Sequence, residues 1–307
     1  MIEFREVSYQ YDVQARPVLE RLSLRIPAGQ YVALIGPNGC GKTTLIKHLN
    51  ALLIPSSGEV FVDGMNSRDR SRHRELRRRV GMVFQNPDSQ VVGMSVAEDI
   101  AFGLENLAVP AAEIAPRVRD ALARVGMAGC EQRIPFSLSG GEKRLVSLAG
   151  VLVMNPRWLV LDEPTAYLDP RSRRRVLEMI AALRREGMGI IHVTHDLVEV
   201  ADADRIIVLD RGAVIMDGTP GEVCNFLVAR EGLGMEAPHL AALMARLRES
   251  GWDLPLDVIS VEAAHREIHG YLKKMTAGGY QADRPRPDSR QAMPPARSFY
   301  PLGAIDN

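Results

Sequence analysis

Aromatics, cysteine and lysine are scarce in this sequence, and no long apolar run is present. Only 5% of the 307 residues are aromatic. None of them interleaves with the run Arg68 to Arg79, which holds seven arginines alongside Asp69, His73 and Glu75. That run therefore reads as a solvated helix face and not as a nucleic-acid surface. The three cysteines, Cys40, Cys130 and Cys224, have no zinc or redox spacing, and a chain this long needs no disulfide staple. The longest stretch without charge or histidine, Ile26 to Gly41, is 16 residues with two prolines and four glycines. It is too short and too broken to span a membrane. The start, MIEFREVSYQYD, lacks the basic region and apolar run of a secretory signal, so a cytoplasmic location is expected. Basic and acidic residues balance at 38 each, which argues against a general electrostatic grip on nucleic acid. Lysine is outnumbered by arginine 33 to five. That bias fits a GC-rich genome, and it makes each lysine worth inspecting.

The segments that are present alternate short apolar runs with amphipathic stretches as far as about Gly221, so the expected fold class is α/β. Strands are expected at Ile2–Val7, Tyr31–Ile35, Val60–Val62, Gly81–Phe84, Trp158–Leu161, Gly189–Val193 and Ile206–Leu209. Several are apolar throughout, which suits parallel strands buried on both faces. Between Asn86 and Asn155 helix periodicity takes over, with Ile114, Val118, Leu122 and Val125 on one face. Beyond Thr219-Pro220 a second composition appears. Leu240, Leu243, Met244 and Leu247 form one stripe, and Ser260 stands as an N-cap before Val261, Ala264, Ile268 and Leu272. The expected organisation is an α/β domain over 1–225 with a helical subdomain at about 86–155, and a helical dimerisation appendage over 226–278. The tail 279–307 has five prolines and no apolar period. It is expected to be disordered.

After the strand ending at Ile35 comes Gly36-Pro37-Asn38-Gly39-Cys40-Gly41-Lys42-Thr43-Thr44, followed by a helix-forming Leu45-Ile46-Lys47-His48-Leu49. This is the strand, loop and helix context of a phosphate cradle. Its glycines let backbone N–H groups curl around phosphate, Lys42 neutralises phosphate oxygens, and the Thr43 hydroxyl can ligate Mg²⁺. A glycine-rich turn without function is the plainer alternative. Cys40 is by default a variable position, though a thiol at a helix N-terminus can be acidified. The strand Trp158-Leu-Val-Leu ends in Asp162-Glu163. An acidic strand end is commonplace alone, but downstream of a cradle it supplies Asp162 to a Mg²⁺ shell and Glu163 as general base. Ser139, Gly140 and Gly141 open another helix and present a second anion site; an ordinary helix cap is their plain reading.

With Leu138-Ser139-Gly140-Gly141-Glu142 in place of an LSGGQ signature, the sequence resembles the ATP-binding-cassette (ABC) ATPases. The resemblance implies a head-to-tail dimer in which the signature of one subunit closes on ATP held by the cradle of the other. It also assigns roles by position. Tyr11 would stack under adenine, where a lone Tyr otherwise packs in a core. Gln85 would sense Mg²⁺ and the attacking water. Asp169, in Ala166-Tyr167-Leu168-Asp169, would cross the dimer interface, and His195 would contact the γ-phosphate, where the default is a satisfied core histidine. The implied cofactors are ATP and Mg²⁺.

Four stretches resemble, more narrowly, the ATPase subunits of energy-coupling-factor importers for cobalt, nickel or vitamins such as biotin. They are Gly81 to Gln90, Ile100 to Asn106, Leu148 to Pro156, and the pair Gly232 to Pro238 with Gly251 to Pro255. The implied partners are a second ATPase subunit, identical or different, an integral coupling protein, and a substrate-binding membrane protein. The implied place is the cytoplasmic face of the plasma membrane. Glu142, Leu145 and Ala166 depart from the usual Gln, Arg and Ser of the family, and none removes a phosphate ligand or the base. A soluble ABC ATPase of DNA repair or translation is the rival reading, disfavoured because no heptad run is present. A small-molecule kinase is disfavoured by the signature and His195. His265 and His269 have helical spacing for a metal but no evident third ligand.

Overall fold

The computed structural model describes residues 1–12, 14, 16–230, 234–235 and 238–277. The tail at 279–307 lies outside the described residues. In chain order the elements are β1 (Ile2–Tyr9), β2 (Leu19–Ile26), β3 (Tyr31–Ile35), α1 (Lys42–Lys47), β4 (Ser57–Val62), β5 (Met65–Asn66), α2 (His73–Arg79), β6 (Val80–Val83), α3 (Val96–Asn106), α4 (Ala111–Arg124), α5 (Gly140–Leu152), β7 (Trp158–Asp162), α6 (Pro170–Arg185), β8 (Gly189–Val193), β9 (Arg205–Asp210), β10 (Ala213–Gly218), α7 (Pro220–Val228), α8 (His239–Glu249) and α9 (Val261–Ala277).

The strands form two sheets. The first, antiparallel, has the order β2-β1-β4-β5; the second has the order β10-β9-β3-β8-β7-β6 and is parallel from β9 to β6. Only β10 runs antiparallel in the larger sheet. The α/β class is thus borne out. The largely apolar strands β3, β7 and β8 are buried at every position, His192 of β8 and Asp162 at the end of β7 included. Because side chains alternate across a strand, each one serves two cores. Val32, Leu34, Trp158, Val160, Ile191 and Val193 point toward the antiparallel sheet. Their neighbours Ala33, Ile35, Leu159, Leu161 and Ile190 point toward the helical layer of α3, α4, α5 and α6. Each such side chain fully withdrawn from water contributes about 1.5–3 kcal/mol.

Three strands were not expected: β2, β5 and β10. In β2 the alternation is interrupted, since β1 and β2 shift register between Phe4 and Val7, with Glu6 and Arg21 at φ 47° and 44°. The apolar stripe of α8 also differs from expectation. Met244 is buried, and Leu240 and Leu247 pack beside it against Leu254, Val258 and Ala264 of the same chain. Only Leu243 stays exposed, at 44%. The stripe therefore closes a small core of its own and leaves little apolar surface for a second subunit. Ser260 does cap α9, its hydroxyl accepting from the Ala263 N–H at 3.2 Å.

Candidate functional site

The C-terminal ends of the parallel strands β3, β7 and β8 converge on one cleft of about 1080 Å³, the usual location of ligand sites in open α/β sheets. The loop from β3 to α1 forms its floor. At Gly36 a Cβ would lie 2.2 Å from the Leu209 carbonyl oxygen, so only glycine lets the chain turn there. Lys42 is buried, its ammonium donating to the Gly36 and Pro37 carbonyls at 2.6 and 3.0 Å. These bonds fold the side chain over the loop, where phosphate oxygens would replace the carbonyls. Cys40 does not line the cleft. Its thiol is buried, and burial pushes its pKa up, so the acidified thiol considered from sequence is not formed.

Thr43 donates to Asp162 at 2.9 Å. Burial raises the Asp162 carboxyl above its ordinary pKa, with the Thr43 hydrogen bond pulling the other way. A buried carboxylate with a hydroxyl beside it offers hard oxygen donors, which suits Mg²⁺. Among the described residues no three-ligand cage of His, Cys, Asp or Glu exists.

Glu163 follows directly, at the end of β7, with φ 45°, a conformation costing a non-glycine residue about 1–3 kcal/mol. Its carboxylate accepts from Gln85 Nε2 at 2.9 Å and lies 3.4 Å from His195 Nδ1. The structure therefore joins three residues predicted from separate parts of the chain. Tyr11 stands at the mouth, 60% exposed, its hydroxyl 3.0 Å from Thr44 Oγ1 and its ring edge-on to Tyr9.

Two other groups stand apart from this cleft. Ser139, Gly140 and Gly141 begin α5, where Ser139 accepts from the Glu142 N–H and Glu142 accepts from the Ser139 N–H at 2.8 Å. Gly141 has no room for a side chain, since a Cβ would meet Ser172 Oγ at 2.3 Å. Glu142 also pairs with Arg133 at 2.7 Å. The Ser139 N–H and the guanidinium together hold its pKa at about 2. Asp169 caps α6, accepting from Arg171 and Ser172 N–H groups and from the Ser172 hydroxyl at 2.6 Å. Its carboxylate is occupied within its own chain.

Several residues at the site were missed from sequence. Arg144, 1% exposed, donates to the Phe84 and Gln85 carbonyls and so fixes the loop that carries Gln85. Gly234, Met235, Pro238 and His239, from the approach to α8, line the cleft as well. Arg144 carried one signal: it sits on the helix face shared by Val151 and Leu148, where a charge must find buried partners.

A family model described as ABC transporter matches residues 19–166. The chain is 50% identical over 270 residues to the cobalt import ATP-binding protein CbiO of Syntrophus aciditrophicus, covering 87% of this chain and 96% of that protein. It is 46% identical over 290 residues to the energy-coupling factor transporter ATP-binding protein EcfA2 of Symbiobacterium thermophilum, covering 92% and 99%. Among solved structures, cbiO1 from Clostridium perfringens, described as part of the ABC transporter complex cbiONQ, superposes with TM-score 0.67 at 34% identity over 81% of this chain and 98% of that one. A dimeric ATP-binding cassette, MJ0796, in a post-hydrolysis state with ADP and Pi, superposes with TM-score 0.65 at 26% identity over 72% and 99%.

Proposed function

The chain belongs to the ABC transporter ATP-binding subunits of energy-coupling-factor type, and from that membership we propose that it hydrolyses ATP to power import of a micronutrient, a cobalt or nickel ion or a vitamin. The observation that carries the reading is Glu163, held between Gln85 and His195 beside the phosphate loop. The soluble alternative has no support among the relatives, which are named as import and transporter subunits.

In this reading the loop N–H groups and Lys42 bind the phosphates, with the ammonium leaving the Gly36 and Pro37 carbonyls for phosphate oxygens. Tyr11 stacks on the adenine. Glu163 takes a proton from the attacking water, and Gln85 and His195 orient its carboxylate and that water. Mg²⁺ would be held by the Thr43 hydroxyl and the Asp162 carboxylate, with Gln85 at its edge, and supplies charge neutralisation at the phosphates. Ser139, Gly140 and Gly141 do not line this cleft in their own chain. They act on the nucleotide of a second subunit, identical or different, in a sandwich dimer. Asp169 orders the interface loop by capping α6.

Among the described residues no helix is long and apolar enough to cross a membrane. The subunit works as a peripheral protein on the cytoplasmic face of the plasma membrane. There it binds an integral coupling protein, while a separate membrane protein selects the substrate. The test is reconstitution with those two membrane proteins in vesicles. Substrate uptake should require ATP and this chain, and should stop with Glu163→Gln. ATP hydrolysis that proceeds with no uptake for any of the three substrate classes would overturn the proposal.

A further inference from the structure

The ends of β7 and β8 carry Glu163 and His195, and something must hold the two ends in register. Glu163 N–H donates to Val193 O at 2.9 Å, which ties the backbones. The side chains that follow have a separate tie. Glu199, in the short helical turn Leu197–Val200 after His195, turns its carboxylate inward until the side chain is only 3% exposed. One oxygen accepts from the Thr165 hydroxyl, two residues past Glu163, and pairs with Arg173 Nε at 2.8 Å. The other accepts from the Thr194 hydroxyl at 3.0 Å, the residue before His195. Thr194 Oγ1 in turn accepts from the Asp196 N–H at 3.1 Å, and the Arg173 guanidinium pairs with the Asp196 carboxylate. His195 is therefore bracketed on both sides by groups that converge on Glu199.

A carboxylate is the side chain that this arrangement requires. Three donors lie within hydrogen-bond reach of it, two hydroxyls and a guanidinium, with Nε2 of the buried His192 farther off at 3.7 Å, and an ionised carboxylate is acceptor-only with about four acceptor sites. Its buried charge is compensated by Arg173 and by the hydrogen bonds, which is the condition for burying a charge at all. We propose that Glu199 is a positioning residue for hydrolysis, clamping the loop after Glu163 to the loop bearing His195 through Thr165, Thr194 and Arg173. The proposal rests on the ATPase reading above and adds to it a residue that touches neither nucleotide nor water. Its effect belongs in turnover and not in binding, because Lys42, Thr43 and Tyr11 lie outside the clamp.

The experiment measures ATP hydrolysis by the full chain reconstituted with its membrane partners, together with ATP affinity and melting temperature. Glu199→Ala should lower kcat roughly tenfold or more, the scale of losses from small misplacements, with KM for ATP within about twofold of wild type. Thr194→Val removes two hydrogen bonds, the one donated to Glu199 and the one accepted from the Asp196 N–H, without opening a cavity, and should lower kcat in the same sense with the chain still folded. Glu199→Gln keeps an acceptor for Arg173 and should restore part of the loss. In a His195→Ala background, Glu199→Ala should add little, because the two act as a unit. The inference is overturned if Glu199→Ala and Thr194→Val both keep wild-type kcat. It is also overturned if the Glu199→Ala loss is undiminished in the His195→Ala background, since a general folding defect gives that result. Wild-type chain that hydrolyses no ATP would overturn the underlying reading instead, and ATP binding by the same protein separates the two failures.

Discussion

Replacing Arg144 by Met separates what this buried cation does for stability from what it does for the site. The guanidinium donates to the Phe84 and Gln85 carbonyls, and hydrogen bonds to a charged group contribute about 1.5–3 kcal/mol each. Against them stands desolvation, which depresses the Arg144 pKa from 12.5 to about 10, with Asp162 opposing the shift. At 1.36 kcal/mol per unit, that penalty is about 3 kcal/mol. Its Nε also lacks a hydrogen-bond partner among the described residues. The two bonds together, about 3–6 kcal/mol, exceed the desolvation penalty by at most about 3 kcal/mol, so Arg144→Met should change global stability by no more than about 3 kcal/mol, and the melting temperature by no more than about 12 °C. The loop is different, because the substitution leaves the Phe84 and Gln85 carbonyls without their partner. Amide exchange over residues 84–90 should accelerate at least tenfold or so, and kcat should fall by a similar factor as Gln85 loses its place beside Glu163. Hydrogen exchange by mass spectrometry and phosphate release on one preparation give both readings. Full kcat with unchanged exchange at Gln85 would refute the reasoning; a collapse of the whole fold would show that the balance is wrong.

Three further outcomes are expected. Lys42→Ala should abolish ATP binding, measured by titration of a fluorescent nucleotide, because phosphate loses its point counter-ion; wild-type affinity would contradict this. His48 donates from Nδ1 to Thr44 O at 2.7 Å, and burial lowers its pKa to about 4. The unfolded chain takes up that proton first as pH falls, so stability is full above about pH 6.5 and declines toward pH 4, by roughly 2 kcal/mol at about pH 5. Urea midpoints at neutral and acid pH should show a smaller decline for His48→Asn, and an equal decline would remove His48 from the account. Mixing Glu163→Gln with Ser139→Arg subunits should restore hydrolysis that neither shows alone, since half the random pairs hold one clean site; continued silence, relieved only by a non-identical ATPase subunit, would make this chain half of a heterodimer.

The parallel strands were legible because burial on both faces leaves no charged position in β3, or in β7 before its terminal Asp162, and the phosphate loop because its residue types follow directly from phosphate chemistry. Strand β2 was not, since a register shift near Glu6 and Arg21 breaks the period on which the reading depends. Glu199 was invisible, and Arg144 nearly so, for a related reason. A charged residue beside a motif looks solvated in one dimension, and only the fold brings Phe84, Gln85, Thr165 and Thr194 around it. The stripe at Leu240, Met244 and Leu247 was read correctly as apolar, but its partner proved to be Leu254 and Val258 of the same chain.

The central claim is that Glu163 activates water at an ATP site. Glu163→Gln preserves side-chain shape and the contacts to Gln85 and His195 while removing the base. Phosphate release by this variant with its membrane partners, measured at saturating ATP beside the wild type, tests the claim directly. ATP should still bind, and turnover should fall at least about 100-fold, the contribution of a general base. Turnover equal to wild type, at equal occupancy by ATP, would contradict it.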